Sequence, residues 1–203
     1  MVLELGAGVF QVAGAPSPSL DWSELASALS TAGRLGELSA ETDFEPAQPT
    51  FPFGAHVAVV EVDTETGAVE LIRMVAVDDA GTIINPMIAE GQVHGGLAAG
   101  IAQALYEEVR YDSEGNPQHA NLVTYCIPSA VEMPSFERVV METPTPVNPL
   151  GAKGIGESGT IGATPAVHNA VIDALSHLGV RHVGMPANGE NIWRALVEAG
   201  ASG

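Results

Sequence analysis

Basic residues are scarce in this 203-residue chain: seven Lys and Arg face 25 Asp and Glu, a formal charge of −18 at pH 7. Such a field repels phosphate backbones and anionic bilayers, so nucleic acid and acidic lipid are poor partners. Cysteine is almost absent. Cys126 alone cannot close an internal disulfide, which fits a reducing cytoplasm, and one thiolate cannot hold an iron–sulfur cluster. It sits in LVTYCIPS, which reads as a strand without a charged helper, so a buried and unreactive thiol is expected. No apolar run reaches the roughly 18 residues of a membrane span. The first residues, MVLELGAGVF, lack the basic start of a secretory signal. A cytoplasmic protein is the resulting expectation. Charged residues make up 16% of the chain, below the usual quarter or so. So few charges imply that partner chains cover part of the surface.

Glycine and proline are plentiful, at 23 and 14 residues. VLELGAGVFQVAG is β-rich, and the two prolines of GAPSPS read as a break before a helix. Asp21 with Glu24 forms a capping box for that helix, Leu20 and Leu25 can staple it, and Gly33 marks its end. Residues 36–53 carry three prolines and read as a surface linker. AHVAVVEVD, TETG and AVELIRMVAVDD spell a β-hairpin. Asn85 and Pro86 then cap and open a helix in which Val93, Leu97, Ile101 and Leu105 recur every four residues. Strands joined by turns are expected over 106–142, with FERVVME the clearest. Thr164 and Pro165 are expected to open another helix, followed by a short strand, VRHVGM, and a last helix near NIWRALVEA. The mixture lacks regular βαβ alternation, so the class is α+β, mixed sheets with packed helices. The boundaries are 1–53 for an N-terminal strand/helix segment with its linker and 54–203 for the main domain.

Two stretches stand out chemically. Gly91, Gly95, Gly96 and Gly100 all fall inside one helix, and each costs about 1 kcal/mol relative to alanine. Either a neighbouring backbone packs very close to that face or a bulky ligand lies on it. The second stretch is the loop Gly151-Ala-Lys-Gly-Ile-Gly-Glu-Ser-Gly159. Residues 154–159 literally match G-x-G-x-x-G, but no buried strand precedes them and Glu157 would repel a pyrophosphate. Thr160 removes a nucleophile elbow, and no P-loop is present. Glu157 is held among glycines, with Lys153, the sole lysine, four residues before it. A desolvated glutamate there could act as a general base; an exposed turn glutamate is the plainer alternative. The six histidines show no zinc-helix spacing, and His94, inside the glycine-rich helix, is either a core or interface residue or a ligand contact.

INPMIAEGQVHGGLAAGIAQALYEE and NPLGAKGIGESGTIGATPAVHNAVIDAL together resemble the C-terminal part of the molybdopterin-binding large subunit of the xanthine dehydrogenase/aldehyde oxidase family. The resemblance runs roughly from Gly54 to Leu196, and GESG is most similar to the branch containing aerobic carbon monoxide dehydrogenase. It implies a molybdenum hydroxylase acting on an aldehyde, an N-heterocycle or a carbon monoxide-type substrate. It implies that Glu157 stands beside molybdenum and takes a proton, that Gln92 contacts the pterin, and that Lys153, Gly154, Ile155 and Gly156 line the cofactor. A molybdenum–molybdopterin cofactor, in the cytosine dinucleotide form, is implied too. FAD and [2Fe-2S] clusters would lie on partner subunits, beside the remaining part of the molybdenum subunit.

The chain departs from the family in two ways. Ala98-Ala99-Gly100 stands where many relatives carry V-Q-G, and the family subunit is several times longer. The upstream pterin loops and the substrate loop are missing, so the chain reads as a fragment, a split subunit or a degenerate copy, inactive alone. A non-catalytic remnant of the same fold and an unrelated acidic hydrolase are the alternatives. Retention of Gln92 with Glu157 speaks against the first, and the lack of a second suitably spaced carboxylate or nucleophile against the other.

Overall fold

Apolar and polar residues alternate along Phe53–Val62 (β4) and Val69–Asp79 (β5), and the two strands pair antiparallel, with Val57 opposite Val75. This is the expected hairpin, with one irregularity between Val59 and Val60. The computed structural model describes residues 3–6 and 8–201, with side chains from residue 8 onward except 15–18. Met1 and Val2, within the expected first strand, lie outside the described residues. The chain divides into two units, Met1–Glu45 and Pro46–Gly203.

In the first unit, strands Leu3–Gly6 (β1), Val9–Val12 (β2) and Ala15–Asp21 (β3) form an antiparallel sheet in the order β1-β2-β3. The prolines of GAPSPS therefore do not break the chain into a linker. They lie in an edge strand, where a residue without an N–H loses no ladder bond. Helix Trp22–Thr31 (α1) follows with both halves of the Asp21–Glu24 capping box formed, at 2.8 and 2.9 Å.

The second unit builds the sheet β4-β5-β6, where Phe136–Met141 (β6) runs parallel to β5. Parallel pairing needs a long crossover, and helix Pro86–Leu105 (α2) lies within it. Helix Ser158–Leu175 (α3) lies against α2 and the sheet, and helix Gly189–Glu198 (α4) closes the chain. Met74, Leu97, Ile101, Leu175, Ile192 and Leu196 are fully buried at the centre of the core. Helices and mixed sheets together make the class α+β, as expected.

Four local expectations fail. Over 106–142 the only described strand is β6, plus a bridge between Tyr111 and Pro117. The side chains of Asp112, Asn121 and Glu132 bind nearby backbone amides there and compete with strand pairing. The second failure is the start of α3, which is Ser158, so Thr164 and Pro165 stand inside the helix. Packing of Gly159 and Ala163 against α2 overrides the bond that Pro165 cannot make. VRHVGM is not a strand; a His168 nitrogen lies 3.0 Å from the Val183 carbonyl and engages it instead. Cys126, expected buried in a strand, is exposed in irregular chain.

The four helix glycines separate into two kinds. A methyl on Gly96 would meet Gly159 Cα and Thr160 N at 3.0 Å, and one on Gly100 would meet the Ala163 methyl at 2.7 Å. Gly91 and Gly95 have open space. Gly95→Ala is therefore expected to stabilise the folded chain by about 0.5–1 kcal/mol through helix propensity. Gly159→Ala, whose methyl would meet the Val93 carbonyl at 2.7 Å, is expected to cost about 1–3 kcal/mol. Urea midpoints of the two variants check both signs.

Candidate functional site

The turn from β5 into α2 and the loop that precedes α3 are sewn together by backbone. Gly81 and Gly151 both take positive φ, 65° and 69°. A side chain on Gly81 would strike the Gly151 carbonyl, so only glycine lets the two segments meet. The Thr82 amide donates to the Gly151 carbonyl at 3.0 Å, and the Lys153 amide donates to the Ala80 carbonyl at 2.8 Å. Asn148 holds the loop from inside, its amide nitrogen donating to the Ala152 carbonyl at 2.8 Å. A cleft of about 210 Å³ opens beside this seam, lined by Ile84, Asn85, Ile88, Lys153 and Ile155 among others.

A buried ion pair and a buried carboxylate–imidazole contact lie under the seam. Lys153 Nζ donates to Asp79 Oδ1 at 3.0 Å and stands 4.6 Å from the centre of the Phe53 ring. Burial alone would raise the Asp79 carboxyl. Thr143, the Gly81 amide and the Lys153 ammonium outweigh that effect and hold it well below the usual carboxylate range. On Asp78, Oδ1 lies 3.1 Å from His56 Nε2, and both side chains are almost wholly enclosed. Sequence reasoning missed both pairs. The available signal was a double aspartate ending an otherwise apolar strand, VAVDD, in a chain with one lysine.

The residues singled out from the sequence converge at the α2–α3 crossing. Gln92 projects from α2 so that its Oε1 stands 3.6 Å from where a Cβ on Gly156 would be. Gly154, Gly156 and Glu157 are exposed beside it, and Gly91, Gly95 and Gly154 leave open space. Glu157 is the cap residue of α3, yet its side chain caps nothing. The burial expected for this carboxylate is not supplied by the described residues. Lys153 differs from its neighbours. Its backbone shares the loop, but its ammonium turns inward to Asp79 and Phe53. His94 is half-exposed and stacks edge-on against Phe136, with ring centres 5.7 Å apart.

A family described as a molybdopterin cofactor-binding domain matches residues 2–134. The chain is 42% identical over 163 residues to the carbon monoxide dehydrogenase large chain of Afipia carboxidovorans, covering 80% of this chain and 20% of that protein. It is 41% identical over 152 residues to the nicotine 6-hydroxylase large subunit of Paenarthrobacter nicotinovorans, covering 75% and 19%. Among solved structures, Cu,Mo-CO dehydrogenase in its carbon monoxide reduced state superposes with a TM-score of 0.87 at 38% identity, over 98% of this chain and 25% of that one. The chain thus spans about a fifth of the length of the curated relatives it matches.

The Asp79–Lys153 pair makes stability depend on pH with a definite sign. A carboxyl held below its unfolded value contributes fully above about pH 4 and loses that contribution as pH falls toward its folded value. Asp79→Asn is expected to destabilise by about 3 kcal/mol at neutral pH, with the gap to the wild type narrowing below about pH 4. Urea unfolding at pH 7 and pH 3 measures it; a pH-independent gap would contradict the assignment.

Proposed function

The chain belongs to the molybdopterin cofactor-binding family of molybdenum hydroxylases, and from that premise we propose that it carries the catalytic base, Glu157, and one wall of the pterin site. The observation that carries this reading is the approach of Gln92 to Gly156, with the exposed Glu157 next in the chain, where α2 meets the start of α3. The residues suit such a group. The side-chain-free surface at Gly91 and Gly95 admits a flat ring system, the Gln92 amide can both donate and accept, and the glycine backbone of the loop can approach a ligand closely. When bound, molybdopterin with its metal supplies the redox centre that accepts the electrons of substrate oxidation.

The chain's own part is binding and proton transfer. Gln92 orients the pterin, and the backbone of Lys153 to Gly156 lines it. Either Glu157 carboxylate oxygen takes the proton released as oxygen is delivered to the substrate carbon. The reaction class is oxidative hydroxylation of an aldehyde, an N-heterocycle or a carbon monoxide-type substrate. The cytosine dinucleotide form of the cofactor is part of the same proposal.

The rest of the site belongs to partners. A base that lies exposed in this chain acts efficiently only once water is excluded, and we assign that cover to the remaining part of the molybdenum subunit. Val57, Val59, Val139 and Met141 form an exposed apolar stripe on the outer face of the sheet, a surface suited to such a partner segment. Electrons would leave through partner subunits carrying [2Fe-2S] clusters and FAD, since this chain holds one cysteine. No helix among the described residues is long and apolar enough to cross a membrane, and the proposed setting is the cytoplasm.

Glu157→Gln keeps size and removes basicity. In the assembled enzyme it is expected to lower the rate of substrate-driven reduction by about 10²–10⁴-fold or more, with assembly and molybdenum content unchanged. Stopped-flow reduction kinetics decide; a rate near that of the wild type removes the base assignment. Gln92→Ala is expected to weaken cofactor retention by about 1 kcal/mol, roughly fivefold. Molybdenum content after extended dialysis reads it, and unchanged content argues against a direct contact.

A further inference from the structure

Asp78 and Asp79 end β5 and, as neighbours on a strand, project to opposite faces of the sheet. Asp78 meets His56 on the inner face, and the His56 ring rests on α3 at Gly162, where a methyl would overlap it. Asp79 accepts from Lys153 Nζ at 3.0 Å and from the Gly81 amide at 2.9 Å. Lys153 lies four residues before Glu157, and Gly162 lies five residues after it. One strand end therefore grips the chain on both sides of the glutamate. With exposures of 2% and 1%, neither aspartate can itself meet a ligand.

Cohesion alone does not account for this arrangement. Replacing a buried ion pair with well-packed apolar residues is often neutral or stabilising. The sheet and α3 already share a continuous apolar core. What two polar contacts add is direction: each fixes one partner atom at one distance, where apolar contacts tolerate sliding. The side chain of Glu157 makes no cap bond among the described residues, so its position depends on the backbone at either end.

We propose that Asp78 and Asp79 are positioning residues for Glu157, clamping the loop before it through Lys153 and the helix after it through His56. The proposal rests on the reading of Glu157 as the base. Reacting groups lose about 10²-fold in rate for a misplacement of about 1 Å, and such a displacement is the expected consequence of releasing either clamp.

The test compares Asp79→Asn with Glu157→Gln in the assembled enzyme. Lys153 is the only lysine of this chain, so acylation of its peptide by an amine-reactive ester reports the clamp directly. In Asp79→Asn, acylation of Lys153 and hydrogen exchange over 151–159 should each rise about tenfold or more beyond any rise across α2. Substrate-driven reduction should slow by about 10²-fold, while molybdenum content and substrate Kd stay as in the wild type. A merely structural role would raise exchange over α2 and over 151–159 alike and leave the rate per loaded site intact. Unchanged acylation and loop exchange would overturn the clamp. A loosened loop with the wild-type rate, in a protein whose Glu157→Gln variant is inactive, would overturn the positioning role alone. If Glu157→Gln itself retains the rate, the base assignment falls first and the positioning role with it. Should Asp79→Asn fail to assemble, acylation in the wild type still decides: a Lys153 ammonium that resists acylation in the native assembly supports the clamp, and one that reacts as fast as in the unfolded chain refutes it.

Discussion

The approach of α2 to α3 through glycine is the constraint on which the rest of the second unit depends. Gly96 faces Gly159 and Thr160 so closely that no side chain fits between them, and Thr160 Oγ1 donates to the Gly96 carbonyl at 3.0 Å. One turn further on, Thr164 Oγ1 donates to the Gly100 carbonyl at 3.2 Å. Helix backbones this close transmit position faithfully, because no flexible side chain lies between them to absorb a shift. Gln92 stands one turn before Gly96, and Glu157 stands two residues before Gly159. The crossing therefore sets the backbone from which each of these two side chains projects, and the loop before α3 sets the rest.

Charge burial at the end of β5 complements that crossing. The crossing sets α3 against α2, and the aspartates set the approach to α3 against the sheet. Both devices are costly in isolation. Interior glycines weaken a helix by about 1 kcal/mol each, and buried charges lose hydration that their partners restore only with good geometry. Gly81 and Gly151 supply that geometry by letting the loop reach the strand end. A fold that needed only stability would use apolar side chains in these places. Their use around one exposed carboxylate is the physical reason to look for function there.

Elements governed by local chemistry were legible in the sequence. The β4–β5 hairpin follows from alternation, α2 from its Asn85 cap and four-residue apolar period, and α1 from its capping box. The failures share a cause in tertiary context. Ser158–Thr164 reads as loop because it carries two glycines, lacks an apolar period and runs into Pro165, yet packing against α2 makes it helix. APSPS reads as a break because prolines cannot serve a central strand, and nothing in the sequence declares that β3 lies at an edge. For the site, Gln92 and the glycine loop could be named from pattern, but their meeting is a three-dimensional fact. The inward turn of Lys153 was invisible, since its partner Asp79 is 74 residues away.

The unequal fates of the four helix glycines carry the argument beyond this chain. Gly96 and Gly100 are offset here, by the backbone contacts they permit. Gly91 and Gly95 have nothing within 4 Å and remain uncompensated, a standing loss of about 2 kcal/mol for two interior glycines. The open pair and the packed pair occupy different faces of one helix, so a single explanation cannot serve both. Close packing accounts for the face toward α3. Gln92 continues the packed stripe one turn before Gly96 and reaches Gly156 beside α3. The open face at Gly91 and Gly95 is, on the reading proposed above, where a flat cofactor would lie, and a ligand that covered it would stabilise the helix that presents it.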